Sequence, residues 1–257
     1  GLTFDEKGDP GTPGKRIFTI GDRAKLALKE TSTELRGRLR YAVYDDAIRR
    51  QLFREKRLKN IMGAALQNRD FQVYLQPKYR TESETIGGAE ALVRWMSAEG
   101  MIYPDEFISL FEKNGFIIQL DYYMWDKVCA LLRKWLDAGC NPDPVSVNIS
   151  RVSFYDPHIL DHLFGLIDKY KIPASLLYLE VTESAYMSNP HLMAEIIAQL
   201  HKKGFIIMMD DFGSGYSSLN TLKDIDVDIL KIDMKFLPTG HDNVKSEKIL
   251  ASITRMA

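Results

Sequence analysis

The sequence predicts an α/β fold in which strands and helices alternate around a parallel sheet, arranged as a (β/α) barrel. Strand-like segments at 71–79, 87–95, 145–150, 177–183, 205–212 and 229–234 alternate with helical patterns along most of the chain. These strands are nearly continuous apolar runs, as expected where helices cover a parallel sheet. Polar side chains stand at the C-terminal ends of several strands, where barrel enzymes keep their chemistry. No GxGxxG follows any strand, which disfavours a doubly wound dinucleotide-binding sheet.

The elements follow in order. Residues 1–14 are rich in Gly and Pro and read as a strand remnant and loop. A short helix at 21–30 and a strand at 40–46 are too little to bury a core, and read as the tail of another domain. A helical pattern from Ala47 to Asn68 reads as a connector, its Arg/Lys-rich stretch 49–59 as a solvated face. Helices are then predicted at 104–115, 120–139, 157–171, 189–204 and 244–257, with a glycine loop and the segment 217–225 between the strands at 205–212 and 229–234. Tyr122, Tyr123 and Trp125 have the spacing of packing residues on a helix. His158 and His162 lie four apart and read as a solvent-facing pair rather than a metal chelate, since Asp161 is not the glutamate of HExxH.

Composition excludes several classes. The 257 residues are 45% hydrophobic and 27% charged with a net charge of −1, so bulk nucleic-acid binding has no electrostatic basis. No apolar run reaches the roughly 20 residues of a membrane span, and no signal-peptide pattern opens the chain. Cys129 and Cys140 form no CxxC and read as free buried thiols. A reducing, cytoplasmic setting is expected.

Strand alternation sorts the polar residues onto one face. Ser146, Asn148 and Ser150 share a face of VSVNIS, Tyr178, Glu180 and Thr182 one of LYLEVTE, and Lys231 and Asp233 one of ILKID. Glu90 stands in GGAEALVRW, and the adjacent Asp210 and Asp211 end FIIMMDDFGSG. Those two aspartates can approach one place only where the strand ends, a break expected from the turn Gly213-Ser214-Gly215. Any one strand-end carboxylate is ordinarily solvated or paired. Glu90, Asn148, Glu180, Asp210 and Asp211 together point to a hard cation. Oxygen donors without Cys or His favour Mg²⁺ or Mn²⁺ over zinc. Five donors exceed what one Mg²⁺ takes from protein, so a pair of ions suited to phosphodiester hydrolysis is the natural expectation. Among these carboxylates Lys231 should stay protonated, and orient the attacking water or balance charge rather than abstract a proton.

Residues 71–257 resemble an EAL-type cyclic di-GMP phosphodiesterase domain. Glu90-Ala91-Leu92 within AEALVRW, Gln76-Pro77 in YLQPK, Asn148 in VNIS, Glu180 in LEVTE, DDFGSGYSSL at 210–219 and LKID at 230–233 carry the resemblance. It implies a (β/α)₈ TIM-like barrel whose first strand runs against its neighbour. It also implies Glu90, Asn148, Glu180, Asp210 and Asp211 as ligands of two ions, with Lys231 at the nucleophilic water. Glu90, Asp210 and Lys231 would be the catalytic core. Gln76, Leu92 and Arg94 would contact the dinucleotide, Arg94 at a phosphate. Glu183, Gly213, Ser214 and Asp233 would support the site. The implied reaction is in-line hydrolysis of cyclic di-GMP to linear pGpG in bacterial signalling.

Residues 1–46 resemble the C-terminal remnant of a GGDEF domain, though its signature is absent. The expected organisation is therefore a remnant at 1–46, a connector at 47–68 and an EAL-like domain at 69–257. About six of eight barrel strands are expected, because the family pattern continues past Ala257 with a further glutamate and a glutamine. On that expectation the truncated chain is impaired, and its parent carries GGDEF or sensory domains and possibly a membrane tether. The rival reading is a non-hydrolysing cyclic di-GMP receptor or an interaction module, and a homodimer is compatible with either.

Overall fold

The computed structural model describes residues 46–213 and 226–233. The elements expected at 21–30 and 244–257 lie outside the described residues, as do the segment 217–225, Ser214 and the strand at 40–46, except that Asp46 opens a helix. The chain divides into two compact units, residues 1–63 and 64–257. Helix α1 spans Asp46–Gln67. Along it Arg49, Arg50, Lys56 and Lys59 are exposed, as a solvated face requires.

The second unit is built on a mixed sheet ordered β1-β2-β4-β5-β6-β7, with β3 paired to β2. β1 (Phe71–Tyr79) runs antiparallel to β2 (Ile86–Ser97), as the resemblance implied. β3 (Gly100–Ile102) is a short hairpin return, too brief to leave a periodic signal. β4 (Val145–Asn148), β5 (Leu177–Thr182), β6 (Ile206–Phe212) and β7 (Ile229–Ile232) follow in parallel. Between them lie α2 (Pro104–Asn114), α3 (Ile117–Asp137), α4 (Arg151–Phe154), α5 (Ile159–Tyr170), α6 (Glu183–Ser188) and α7 (Pro190–Lys203).

One face of the sheet is apolar throughout. Val145, Val147, Leu177, Leu179, Val181, Ile207 and Met209 are buried, as are Trp125, Val128 and Leu132 of α3, Leu163 and Leu166 of α5, and Ile197 and Leu200 of α7. Burying a side chain of this size contributes roughly 1.5–3 kcal/mol, so this layer dominates the stability of the unit. The β1–β2 pair is held by an aromatic cluster. Phe71 lies 4.9 Å from Trp95, and Trp95 lies 5.5 Å from Phe107 and 5.8 Å from Phe111. Phe71 and Trp95 are also cross-strand partners, so the same contact sets the register that places Gln76 opposite Glu90.

Local chemistry ends the strands where the site begins. Ser150 accepts the N–H of Ser153 at 3.1 Å and starts α4, and Thr182 accepts that of Ala185 at 3.3 Å and starts α6. Each cap follows a polar strand residue by two positions, Asn148 and Glu180. Regular pairing in VSVNIS therefore stops at Asn148 instead of running to Ser150. Gly88 has φ +147° and its Cα faces the Pro144 carbonyl so closely that an added Cβ would stand 2.7 Å from that oxygen. Only glycine lets β2 approach the segment leading into β4.

Two smaller expectations are corrected. His162 does not face solvent: its ring stacks on Tyr122 at 3.8 Å and 8°, and its buried Nε2 has no hydrogen-bond partner. Burial holds its imidazole below the usual histidine range. Cys140 is exposed, because it follows the C-terminal end of α3 rather than lying under it. Cys129 is buried as expected, and burial pushes its thiol up to about 12.

Candidate active site

Register brings the polar strand residues together. In the parallel ladders Ser146 stands beside Glu90, Asn148 beside Glu180 and Thr182 beside Asp210. Lys231 projects from β7 into this group. Its Nζ donates to Glu180 Oε2 at 2.5 Å, Glu90 Oε2 at 3.0 Å and Asp210 Oδ2 at 3.1 Å. Carboxylate oxygens of Glu90, Glu180 and Asp210 lie within 4.8 Å of one another. Asn148 joins them by donating from Nδ2 to Glu90 Oε1 at 3.2 Å.

Asp211 does not enter that trio. Its backbone adopts φ +56°, a left-handed conformation in which an aspartate is among the tolerated non-glycine residues. The β6–β7 register shifts between Met209 and Phe212 at the same place. The break in alternation therefore falls on Asp211 itself, earlier than the glycine turn the sequence suggested. The Asp211 N–H donates to Asp210 Oδ1 at 2.9 Å, which turns Oδ2 toward Lys231. Buried Glu183 accepts the Gly213 N–H at 2.9 Å and ties the start of α6 to this turn. The Asp233 N–H reaches the Phe212 carbonyl at 3.4 Å.

Gln76, Leu92 and Arg94 share the face of β1 and β2 that carries Glu90, through the pairs Gln76–Glu90, Tyr74–Leu92 and Gln72–Arg94. The Arg94 guanidinium lies 5.8 Å from the Tyr74 ring centroid and donates to the Val93 carbonyl at 2.8 Å. These residues form a shelf leading from the carboxylates along the two strands.

Lys78 was not singled out from the sequence. Its Nζ donates to Glu180 Oε1 at 2.7 Å and to Ser146 Oγ at 2.6 Å. The available signal was parity, since Lys78 is two residues beyond Gln76 on the same face of a strand.

The electrostatics follow from these contacts. Burial would raise the Glu180 carboxyl, but hydrogen bonds from Lys231 and Lys78 outweigh it and hold it below the usual range. Burial would likewise favour a neutral Lys231, yet Glu180 and Glu90 pull its ammonium above the ordinary lysine range. The site thus pairs a carboxylate held in its charged form, Glu180, with a lysine held in its charged form, Lys231.

That arrangement fits a divalent metal. Glu90, Glu180 and Asp210 already converge on a positive charge, and their hard oxygen donors, with the Asn148 amide beside them, are the ligand types of Mg²⁺ or Mn²⁺. Among the described residues no helix is long and apolar enough to cross a membrane.

Known proteins resemble the chain closely. It is 32% identical over 247 residues to the signaling protein YkoW of Bacillus subtilis, covering 96% of this chain and 30% of that protein. It is 31% identical over 248 residues to the cyclic di-GMP phosphodiesterase PdeR of Escherichia coli, covering 96% of this chain and 36% of PdeR. The chain thus spans about a third of the length of these two relatives. The solved structure of the PaMucR phosphodiesterase in complex with c-di-GMP superposes with a TM-score of 0.72 at 33% identity, covering 78% of this chain and 81% of that one. The family model for the EAL domain matches residues 59–257, and with the carboxylates of three strands gathered on the ammonium of Lys231 the chain belongs to the EAL domain family.

Proposed function

We propose that this chain is a phosphodiesterase that hydrolyses cyclic di-GMP to linear pGpG with two divalent cations, Mg²⁺ or Mn²⁺, within a (β/α) barrel. The observation that carries the reading is the convergence of Glu90, Glu180 and Asp210, with Asn148, around Lys231. Relatives named as cyclic di-GMP phosphodiesterases, and the c-di-GMP complex of a structural neighbour, support the substrate.

Glu90, Asn148, Glu180, Asp210 and Asp211 would hold the ions. When bound, these supply charge neutralisation at the phosphate oxygens and a water acidic enough to attack near neutral pH. The chain's own residues do the rest. Lys231, kept charged by its neighbours, donates a hydrogen bond to the attacking oxygen and fixes its line of approach to phosphorus. Being protonated, it cannot serve as the base, so the proton passes to solvent or a carboxylate. Arg94 gives a planar guanidinium to a phosphate oxygen, and Gln76 and Leu92 seat the guanine nucleotide along the β1–β2 shelf. Glu183, through Gly213, holds the turn that orients Asp210 and Asp211.

The test is hydrolysis of cyclic di-GMP with Mn²⁺ or Mg²⁺, followed by separation of pGpG, on this chain and a C-terminally extended one, with Glu90→Ala as control. Metal-dependent turnover lost in Glu90→Ala supports the enzyme. Binding of cyclic di-GMP without turnover in the extended protein makes it a receptor. Absence of both makes it an interaction module.

A further inference from the structure

We infer that Lys78 is a positioning residue that clamps one oxygen of Glu180, leaving Glu180 a single oxygen for metal, and that its charge weakens the site's hold on cations. This rests on the metal-binding reading above. Lys78 sits in a socket made by three strands, β4, β5 and β6. Its ammonium has three donors, and three acceptors face it: Ser146 Oγ at 2.6 Å, Glu180 Oε1 at 2.7 Å and Met208 Sδ at 3.6 Å. Ser146 Oγ itself lies 3.3 Å from the Ala89 carbonyl and donates there, which leaves its lone pairs for Lys78.

Glu180 is thereby divided between two cations. Oε1 belongs to Lys78 and Oε2 to Lys231, and the carboxylate is wholly buried between them. A metal ion can displace the ammonium of Lys231 from Oε2, because Lys231 has Glu90 and Asp210 as further partners. Oε1 stays occupied, so Glu180 binds through one oxygen and cannot swing into two-oxygen coordination. Three carboxylates of this hydrogen-bonded group face two ammoniums, and Lys78 therefore removes much of the negative charge a dication would meet. The gain is geometric: a ligand fixed in place with its neighbours unable to crowd the ion.

The experiment is Mn²⁺ titration of the full chain without nucleotide, by calorimetry and by the EPR signal of free Mn²⁺, with Co²⁺ absorption as a report of coordination. Lys78→Met should bind Mn²⁺ at least fivefold more tightly, with a weaker Co²⁺ band as coordination number rises. Lys78→Arg should bind within twofold of the parent. Lys78→Gln, which keeps a donor to Oε1 without charge, should bind more tightly but retain the parent Co²⁺ spectrum, and it carries the test alone should Lys78→Met not fold. Unchanged or weaker Mn²⁺ binding in both uncharged variants overturns the role of Lys78 while leaving the metal site intact. No Mn²⁺ binding by the parent at millimolar concentration overturns the metal site and this role together.

Discussion

Trp125 Nε1 donates to the main-chain carbonyl of Asn148 at 3.0 Å, so the buried core of α3 fixes the strand end that carries the amide of the site. The bond joins the apolar layer on one side of the sheet to the polar layer on the other. Asn148 carries the last regular residue of β4, and the next N–H, of Ile149, is taken by the Glu180 carbonyl at 2.8 Å. Indole and neighbouring strand together hold Asn148 against Glu90. Trp125→Phe leaves this carbonyl without its donor and shrinks a fully buried ring. A loss of about 2–3 kcal/mol is expected, combining an unmade buried hydrogen bond with lost packing. Urea denaturation measures it, and a loss under about 0.5 kcal/mol would show that the indole does not anchor the strand end.

The core of the site was legible because its residues break an apolar pattern. Glu180 stands between Leu179 and Val181, and Lys231 between Leu230 and Ile232, where a charged side chain needs partners. Alternation put them on one face, and the structure brings them within hydrogen-bond reach. Lys78 was not legible in the same way. It follows Pro77 near a strand end, where a lysine is ordinarily solvated, and its partners are 68 and 102 residues distant. The backbone turn at Asp211 was hidden for another reason. Positive φ is the signature of glycine, and the nearby Gly213 drew the break two residues too far. His162 was read as exposed because a lone helix shows no partner; its stacking surface, Tyr122, comes from a different helix.

Asp121 links the same helix to the strand end by a second route. Its Oδ2 accepts the Ser150 N–H at 3.0 Å and the Ser153 hydroxyl at 2.6 Å, so a buried carboxylate braces the cap of α4. Burial raises its carboxyl from 3.8 to about 6, against the lowering effect of these hydrogen bonds. A raised carboxyl makes the folded state the stronger proton binder. Stability therefore increases as pH falls from above 6 toward 4, with a span of about 3 kcal/mol at 1.4 kcal/mol per unit. Asp121→Asn keeps an acceptor and removes the charge. It should fold, match or exceed the parent in stability at pH 8, and lose this component of the pH dependence. Denaturation at pH 8 and pH 5 checks it; an undiminished pH slope in the variant would assign the slope to other groups.

Glu183 ties the start of α6 to the turn after β6 by accepting the N–H of Gly213 at 2.9 Å. Glu183→Ala leaves a part-buried N–H without this acceptor and loosens the segment that orients Asp210 and Asp211. Stability should fall by about 1–3 kcal/mol. Turnover of cyclic di-GMP should fall more than tenfold, because the effect is on ligand geometry. Glu183→Gln retains an acceptor oxygen and should recover most of the stability. Equal turnover in the parent and Glu183→Ala would mean that the turn is held by other contacts.

Lys231→Met separates the lysine's part in the fold from its part in chemistry. Removing the ammonium leaves the buried Glu180 carboxylate with Lys78 alone, beside Glu90 and Asp210. Breaking a buried ion pair costs about 3–5 kcal/mol, and the partial exposure of Lys231 lowers the expectation to about 2–3 kcal/mol. In the parent, the depressed Glu180 carboxyl contributes stability above its unfolded value of 4.5, which is lost as pH falls through the still lower folded value. Without Lys231 the Glu180 carboxyl binds protons more readily, so the variant's deficit is greatest at pH 7–8 and shrinks toward pH 4. A divalent cation can take the place of the missing charge. Mn²⁺ should therefore raise the melting temperature of Lys231→Met more than that of the parent, while hydrolysis stays lost. A deficit that is equal at every pH and unmoved by Mn²⁺ would show that Lys231 stabilises the fold by packing rather than by charge.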